Sequence, residues 1–134
     1  MTKYELMQYR WILKNIEKLE EKLLEIDTQL QRITTRYTLV SVSRTGSRDV
    51  MGELIVKKIE VEEEINRKLQ ESYRKLREIE RAIEKLDERE KLLMRLRYIQ
   101  GKDWMEICDE MGYSWRQIHR IHKKALDKLK DGTQ

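Results

Sequence analysis

One stretch near the end of the chain places basic and hydrogen-bonding side chains on one side of a predicted helix. The stretch is GYSWRQIHRIHKKAL, residues 112–126. At helical spacing its apolar residues fall on the opposite side, which predicts that they pack inward. The polar side carries Arg116, Gln117, His119, Arg120, Lys123 and Lys124. Such a surface favours a partner that is anionic and also offers hydrogen-bonding groups, as the major groove of DNA does.

The side-chain types predict how contacts to DNA would divide. Arginine can bind guanine through two hydrogen bonds, and glutamine can bind adenine in the same way. We therefore predict base-reading contacts from Trp115, Arg116, Gln117, His119 and Arg120. Contacts to phosphate position a protein on DNA without specifying the sequence. The predicted phosphate-binding residues are Lys102, Ser114, Lys123, Lys124 and Lys128.

Capping signatures divide the last third of the chain into three short helices. Asp87, Asp103 and Ser114 each stand three residues before a Glu or Gln, which is the spacing of a capping box. Gly101 and Gly112 stand where the preceding helices should end. The predicted helices are 88–99, 104–111 and 115–130. A short helix, a turn with a glycine and a longer basic helix form the helix-turn-helix pattern, whose second helix normally enters the major groove.

The apolar stripe of the last helix predicts the core of this small domain. The stripe is formed by Ile118, Ile121, Ala125 and Leu129. We expect these side chains to pack against Leu92, Leu96, Ile107 and Met111. Trp115 has two interpretations, either as a residue that enters the groove or as a hydrophobic cap on the core.

The first 86 residues have the apolar spacing of a coiled coil. Alternating steps of three and four residues run from Tyr9 to Tyr37 and again from Ile65 to Leu86, with Leu54, Ile55, Ile59 and Val61 as a less regular extension. The segment TLVSVSRTGSRD, residues 38–49, breaks the pattern and is predicted to be a connector. Two helices of similar length across one connector predict an antiparallel helical hairpin. The same seams could instead pair two chains into a homodimer, and a hairpin that also dimerises satisfies both alternatives.

The sequence thus predicts an all-α protein with two parts. Residues 1–86 would form a long, coiled-coil-like helical hairpin, and residues 87–134 a small three-helix domain with a helix-turn-helix. The composition agrees, because the 134 residues include no proline, five glycines and 40% charged residues. The net charge of +4 is mild, but six basic residues and one acidic residue lie between Ser114 and Lys130.

Other functional classes find little support. The single cysteine, Cys108, fits a reducing cytoplasm, and neither a signal peptide nor a membrane-spanning run is visible. His119 and His122 with Cys108 fall short of the four ligands of a closed zinc site, so we expect no metal and no cofactor. A glycine loop for a substrate and a nucleophile motif are not visible either. We therefore expect a cytoplasmic protein that is not an enzyme and has no membrane partner.

The run from Arg89 to Leu129 resembles region 4 of bacterial sigma factors. The matching pieces are Leu96-Arg97-Tyr98, Gly101, Glu106-Ile107, Met111-Gly112-Tyr113-Ser114, Ile118, Arg120-Ile121 and Lys124-Ala125-Leu126 with Leu129. Taken as a whole, the chain resembles the small phage and prophage transcriptional regulators of the ArpU/RinA type. This resemblance implies a transcriptional regulator that binds double-stranded DNA, with RNA polymerase as a further partner.

Two departures limit what the resemblance implies. Primary sigma factors read the −35 element with an Arg-Glu pair just after the turn, whereas Trp115-Arg116 stand there in this chain. A helical hairpin also occupies the place of the sigma region that melts the −10 element. An activator or repressor therefore fits better than a stand-alone sigma factor. Two alternatives stay open: the small subunit of a phage terminase, and a polymerase-binding factor that does not read DNA.

Overall fold

A computed structural model describes the backbone over residues 1–39 and 45–131, and the side chains over residues 1–36 and 49–130. Its elements are helices α1 (Lys3–Leu39), α2 (Thr45–Ile83) and α3 (Glu88–Met94), a π-helical turn (Arg95–Ile99), and helices α4 (Trp104–Met111) and α5 (Trp115–Asp131). The described residues contain no strand, so the prediction of an all-α fold with a long helical hairpin is confirmed. None of the described helices is both long and apolar enough to cross a membrane.

The packing groups the residues into two compact units. The hairpin unit comprises Lys14–Gln70, and the helix-turn-helix unit combines Met1–Leu13 with Glu71–Gln134. Both units therefore contain parts of α1 and α2. The boundary between residues 86 and 87, predicted from the change of sequence pattern, stays a prediction.

In the hairpin unit α1 and α2 run antiparallel. Ile16, Ile26 and Val61 are buried along the predicted seam, because apolar residues at steps of three and four share one side of a helix. Lys58 Nζ lies 2.9 Å from Asp27 Oδ1 and sets the register between the two helices. Both side chains of this pair are more than a third exposed, so its main effect is on alignment rather than on stability.

Two sequence predictions for the hairpin are wrong in detail. The connector is shorter than residues 38–49, since α1 continues to Leu39 and α2 begins at Thr45. Once a long helix is nucleated, adding a Ser, Thr or Arg costs little, so these residues extend it. The prediction for residues 40–44 lies outside the described residues. Of the four residues expected to extend the seam, Val61 is buried and Leu54 is partly buried, whereas Ile55 and Ile59 are half exposed.

The helix-turn-helix unit has one apolar core built from all five helices. Leu6 and Tyr9 come from α1, and Ile79 and Ile83 from α2. The other buried members are Leu86, Leu93, Met94, Leu96, Tyr98, Ile107, Ile118, Ile121, Ala125 and Leu129. Leu92 was predicted to belong to this core but is exposed. Its neighbours Leu93 and Met94 provide the inward side of α3 instead.

A π-helical turn follows α3 and leads into Gly101. The amide of Gln100 donates to the carbonyl of Arg95 at 2.8 Å, a bond one residue wider than in an α-helix. Gly101 follows with a φ of 72°, a conformation that side chains rarely adopt. Arg10 Nη1 of α1 donates to the carbonyl of Ile99 at 2.8 Å, and a Cβ on Gly101 would overlap its guanidinium. The end of this segment is therefore fixed by α1.

A buried polar pair lies inside the same core. The Tyr98 hydroxyl and His122 Nε2 are hydrogen-bonded at 2.6 Å, and both side chains are buried. Burial lowers the pKa of His122 from 6.5 to about 4, with Lys3, His119 and Arg97 adding smaller effects of the same sign. Burial also raises the pKa of Tyr98 to about 12. The folded protein therefore holds His122 neutral at pH values where the unfolded chain takes up a proton.

This difference predicts acid sensitivity. Between pH 6.5 and about 4 the unfolded state binds a proton at residue 122 that the folded state excludes, so the free energy of unfolding falls as the pH falls. The stabilisation is fully present above pH 6.5, and its loss toward pH 4 amounts to up to about 3 kcal/mol. The measurement is thermal unfolding of the natural chain and of His122→Phe across this pH range. The difference between the two pH curves gives the contribution of His122 to acid sensitivity. Parallel pH curves for the two proteins would contradict the assignment.

Candidate nucleic-acid interface

The turn before α5 is built by hydrogen bonds of its own residues. Gly112 ends α4 with a φ of 71°, and its amide donates to the carbonyl of Cys108 at 2.9 Å. The Ser114 amide donates to Gln117 Oε1 at 2.9 Å, and the Gln117 amide donates to Ser114 Oγ at 3.2 Å. This reciprocal pair is a capping box, which fixes where α5 begins. Capping bonds also form at Asp87 and Asp103, as the sequence predicted.

The inward side of α5 is the predicted apolar stripe. Ile118, Ile121, Ala125 and Leu129 are all buried in the core of the unit. Opposite sides of a helix keep a fixed orientation to each other, so burying this stripe also determines which residues of α5 face solvent.

The solvent side of the first half of α5 is basic, and its cations have no acidic partner among the described residues. Arg116, Gln117, Arg120, Lys123 and Lys124 are exposed. Arg116, Arg120 and Lys123 form one row, which is about 10 Å long at the helical rise. Within the part of the chain that the structure describes, none of the four cations makes an ion pair. Their charges are therefore available to an external anion.

Gln117 has a divided role. Its carbonyl oxygen closes the capping box with Ser114, so it is already used within the chain. The amide nitrogen of the same side chain is an additional donor. A two-bond contact to adenine would need the oxygen as well, and would therefore compete with the cap.

His119 lies between two indole rings. Its ring centroid is 4.6 Å from that of Trp104 and 4.4 Å from that of Trp115. Its Nε2 is buried and has no hydrogen-bond partner in the described structure. Arg97 lies over the other indole, 4.5 Å from the Trp104 centroid. This aromatic column orients Trp115, which is half exposed, beside the basic row of α5.

Two predicted phosphate-binding lysines are paired within the chain. Lys102 Nζ lies 2.6 Å from Glu110 Oε2, and Lys128 Nζ donates to Glu90 Oε1 at 2.7 Å. The hydrogen bonds that the two lysines donate to these carboxylates raise the pKa of both lysines, which stay cationic. Glu90 is buried, so the contact from Lys128 ties the end of α5 to α3. Lys123, Lys124 and Ser114 are exposed.

Sequence reasoning missed two positioning residues of this interface. Glu90 was predicted only as the second member of a capping box, although it also holds Lys128. Arg97 was noted only as part of the resemblance to sigma factors, although it covers Trp104 and donates to the carbonyl of Lys102 at 3.2 Å. Glu90 and Lys128 are 38 residues apart in sequence, and Arg97 reaches Lys102 and Trp104 across the turn at Gly101, so helical spacing has no signal for either contact. Groups of three or more His, Cys, Asp or Glu that could hold a metal are not found among the described residues.

Comparison with known proteins matches this part of the chain to RNA polymerase sigma factors. Residues 82–131 match the family model of sigma-70, region 4. The RNA polymerase sigma-G factor of Clostridium acetobutylicum is 37% identical over 65 residues, which cover 48% of this chain and 25% of that protein. The RNA polymerase sigma-F factor of Bacillus licheniformis is 43% identical over 53 residues, or 40% of this chain and 21% of that protein. No solved structure matches the chain.

The match has a defined extent. The chain spans a quarter or less of the length of these sigma factors, and the matched residues include α3, α4 and α5. They contain the capped turn and the basic row described above. Residues 82–131 of this chain therefore form a sigma-70 region 4 domain with a helix-turn-helix.

Proposed function

We propose that the protein is a sequence-specific regulator of transcription that binds double-stranded DNA with α5 in the major groove. The observation that carries the proposal is the row of Arg116, Arg120 and Lys123, exposed and without ion pairs in the described chain, opposite a fully buried stripe. A helix-turn-helix presents its second helix to base edges in this way.

We propose different roles for the residues of this interface. Arg116 and Arg120 read bases, since an arginine at the start of such a helix can reach guanine O6 and N7. Lys123 and Lys124 bind phosphate. Trp115 offers an apolar ring edge to the groove, and His119 holds that ring in place as well as lining the groove.

RNA polymerase is a second proposed partner. The sigma-F and sigma-G factors matched here are named as factors of that enzyme, and the matched domain is the one that carries α5. We propose a regulator encoded by a phage or prophage that acts in the bacterial cytoplasm and catalyses no reaction itself. If it binds as a symmetric dimer, its DNA site has two half-sites related by the same symmetry.

The proposal predicts that the purified full-length chain enriches a defined sequence motif from a randomised duplex library. Selection is best done near physiological salt, where non-specific binding to phosphate is weak. The second experiment is a pull-down of RNA polymerase by the same chain in the absence of DNA. An unenriched library, with binding that collapses as salt rises, would contradict sequence-specific recognition, and polymerase capture in that case would favour a docking factor.

Replacing the base-reading arginines should change specificity as well as affinity. We expect Arg116→Ala or Arg120→Ala to cost about 1–3 kcal/mol on the selected site and to relax the sequence preference, because the lost contacts are to base edges. Fluorescence anisotropy with the selected and a scrambled duplex measures both quantities. If a variant bound both duplexes more weakly by the same factor, the replaced arginine would not read bases.

Two lysines of α5 should behave differently from each other. Lys124→Ala should weaken binding to all sequences alike and reduce the salt slope by about one, since a phosphate contact is lost. Lys128→Ala should instead lower the melting temperature, because buried Glu90 loses its cationic partner. Salt titrations and thermal unfolding of both variants test this division. If Lys128→Ala instead reduced the salt slope as Lys124→Ala does and left the melting temperature unchanged, Lys128 would be a phosphate contact.

A further inference from the structure

The hairpin unit, Lys14–Gln70, buries few of its apolar side chains. Among its described residues, the buried ones are just Ile16, Ile26 and Val61. On α2, by contrast, Ile55 is 44% exposed and Ile59 is 50% exposed. Small units with few buried side chains often complete their core by association. The exposed isoleucines therefore indicate where the hairpin has room for a further element.

An open groove of about 500 Å³ lies between α1 and α2 within this unit. Its apolar lining consists of Leu23 from α1 and of Ile59, Ile65 and Leu69 from α2. Ile55 precedes Ile59 by four residues and so continues the lining on the same side of α2. From Ile55 to Leu69 the helix rises about 21 Å, which is roughly four helical turns.

The polar lining of the groove is acidic. Glu62 and Glu63 both contribute to it, and neither makes an ion pair among the residues described for the hairpin. Asn66, the remaining lining residue, is neutral. The neighbouring lysines are already paired, Lys58 with Asp27 at 2.9 Å and Lys68 with Glu64 at 3.8 Å. The groove thus combines an apolar floor with an uncompensated negative charge.

Shape and charge together select the occupant of this groove. An amphipathic helix fills an apolar groove with side chains spaced three and four residues apart, and four turns match the length available here. Lysine or arginine at the edge of that helix would face Glu62 and Glu63. A second copy of this chain, packed groove to groove, would instead bring the same glutamates together, and like charges oppose association.

We propose that the groove of the hairpin unit binds an amphipathic helix of a partner protein, with apolar side chains against Ile59 and basic side chains beside Glu62 and Glu63. The groove lies outside residues 82–131, which match region 4. The proposal does not depend on DNA binding, and its test uses no DNA.

The test begins with a selection on the full-length chain. The probe is a display library of peptides of about 18 residues, or five helical turns, with leucine at the first and fourth positions of each heptad and random residues elsewhere. We expect enriched peptides to carry lysine or arginine next to the leucines. Fluorescence anisotropy of an enriched peptide then gives its dissociation constant, which should rise with salt.

Variants of the groove test where the peptide binds. Ile59→Asp should weaken binding at least about tenfold, because the peptide would cover a carboxylate with apolar side chains. Glu62→Lys with Glu63→Lys should weaken it as well. A peptide whose basic residues are replaced by glutamate should bind this double variant more tightly than it binds the natural chain, since the charges are then complementary again.

The matched control is Glu53→Lys with Glu60→Lys, which makes the same charge change on exposed positions of α2. Residues 53 and 60 lie on the opposite side of the helix from Glu62, at about 100° per residue. This variant should bind the peptide like the natural chain. Circular dichroism of every variant confirms that the helices are intact.

Three results would overturn the proposal. A selection without enrichment would show that the groove holds no such helix, and an enriched peptide that binds Ile59→Asp as tightly as the natural chain would place the contact elsewhere. Sedimentation equilibrium of the natural chain and of Ile59→Asp provides the third. A natural dimer that this substitution dissociates would mean that a second copy fills the groove.

Discussion

Burial of the apolar stripe of α5 is the constraint on which the rest of this interface depends. Ile118, Ile121 and Ala125 are enclosed by the core, so the helix cannot rotate about its axis without exposing them. That single restriction decides that Arg116, Arg120 and Lys123 face outward together. The capping box at Ser114 fixes the start of the helix, and the contact between Lys128 and buried Glu90 holds its far end.

The core that fixes α5 is larger than the region 4 domain. Leu6 and Tyr9 of α1 contribute to it, and Arg10 closes the end of the π-helical turn. The first residues of the chain therefore pack as part of the helix-turn-helix unit, although they lie outside the residues that match the sigma-70, region 4 model. Their effect on recognition is indirect, through the position of α3 and α5.

Periodicity was enough to predict the helices, the turn and the inward side of α5. These features depend only on residues that are close in sequence, because a cap involves four consecutive residues and an apolar stripe is visible within two helical turns. The predictions failed where side chains meet across the fold. Spacing could not show that Lys102 and Lys128 already have acidic partners, or that His119 lies between Trp104 and Trp115. Nor could it show that Ile55 and Ile59 lie outside the hairpin seam, because that depends on which side of α2 packs against α1.

The most direct test of the central claim, that α5 reads the major groove, uses modified DNA rather than a modified protein. In the selected duplex each guanine is replaced in turn by 7-deazaguanine, which lacks the N7 acceptor of the major groove, or by inosine, which lacks the amino group of the minor groove. The account predicts a loss of about 1–3 kcal/mol of binding free energy for 7-deazaguanine at one or two positions and little change for inosine. A loss confined to inosine, or none with either base, would contradict major-groove reading by α5.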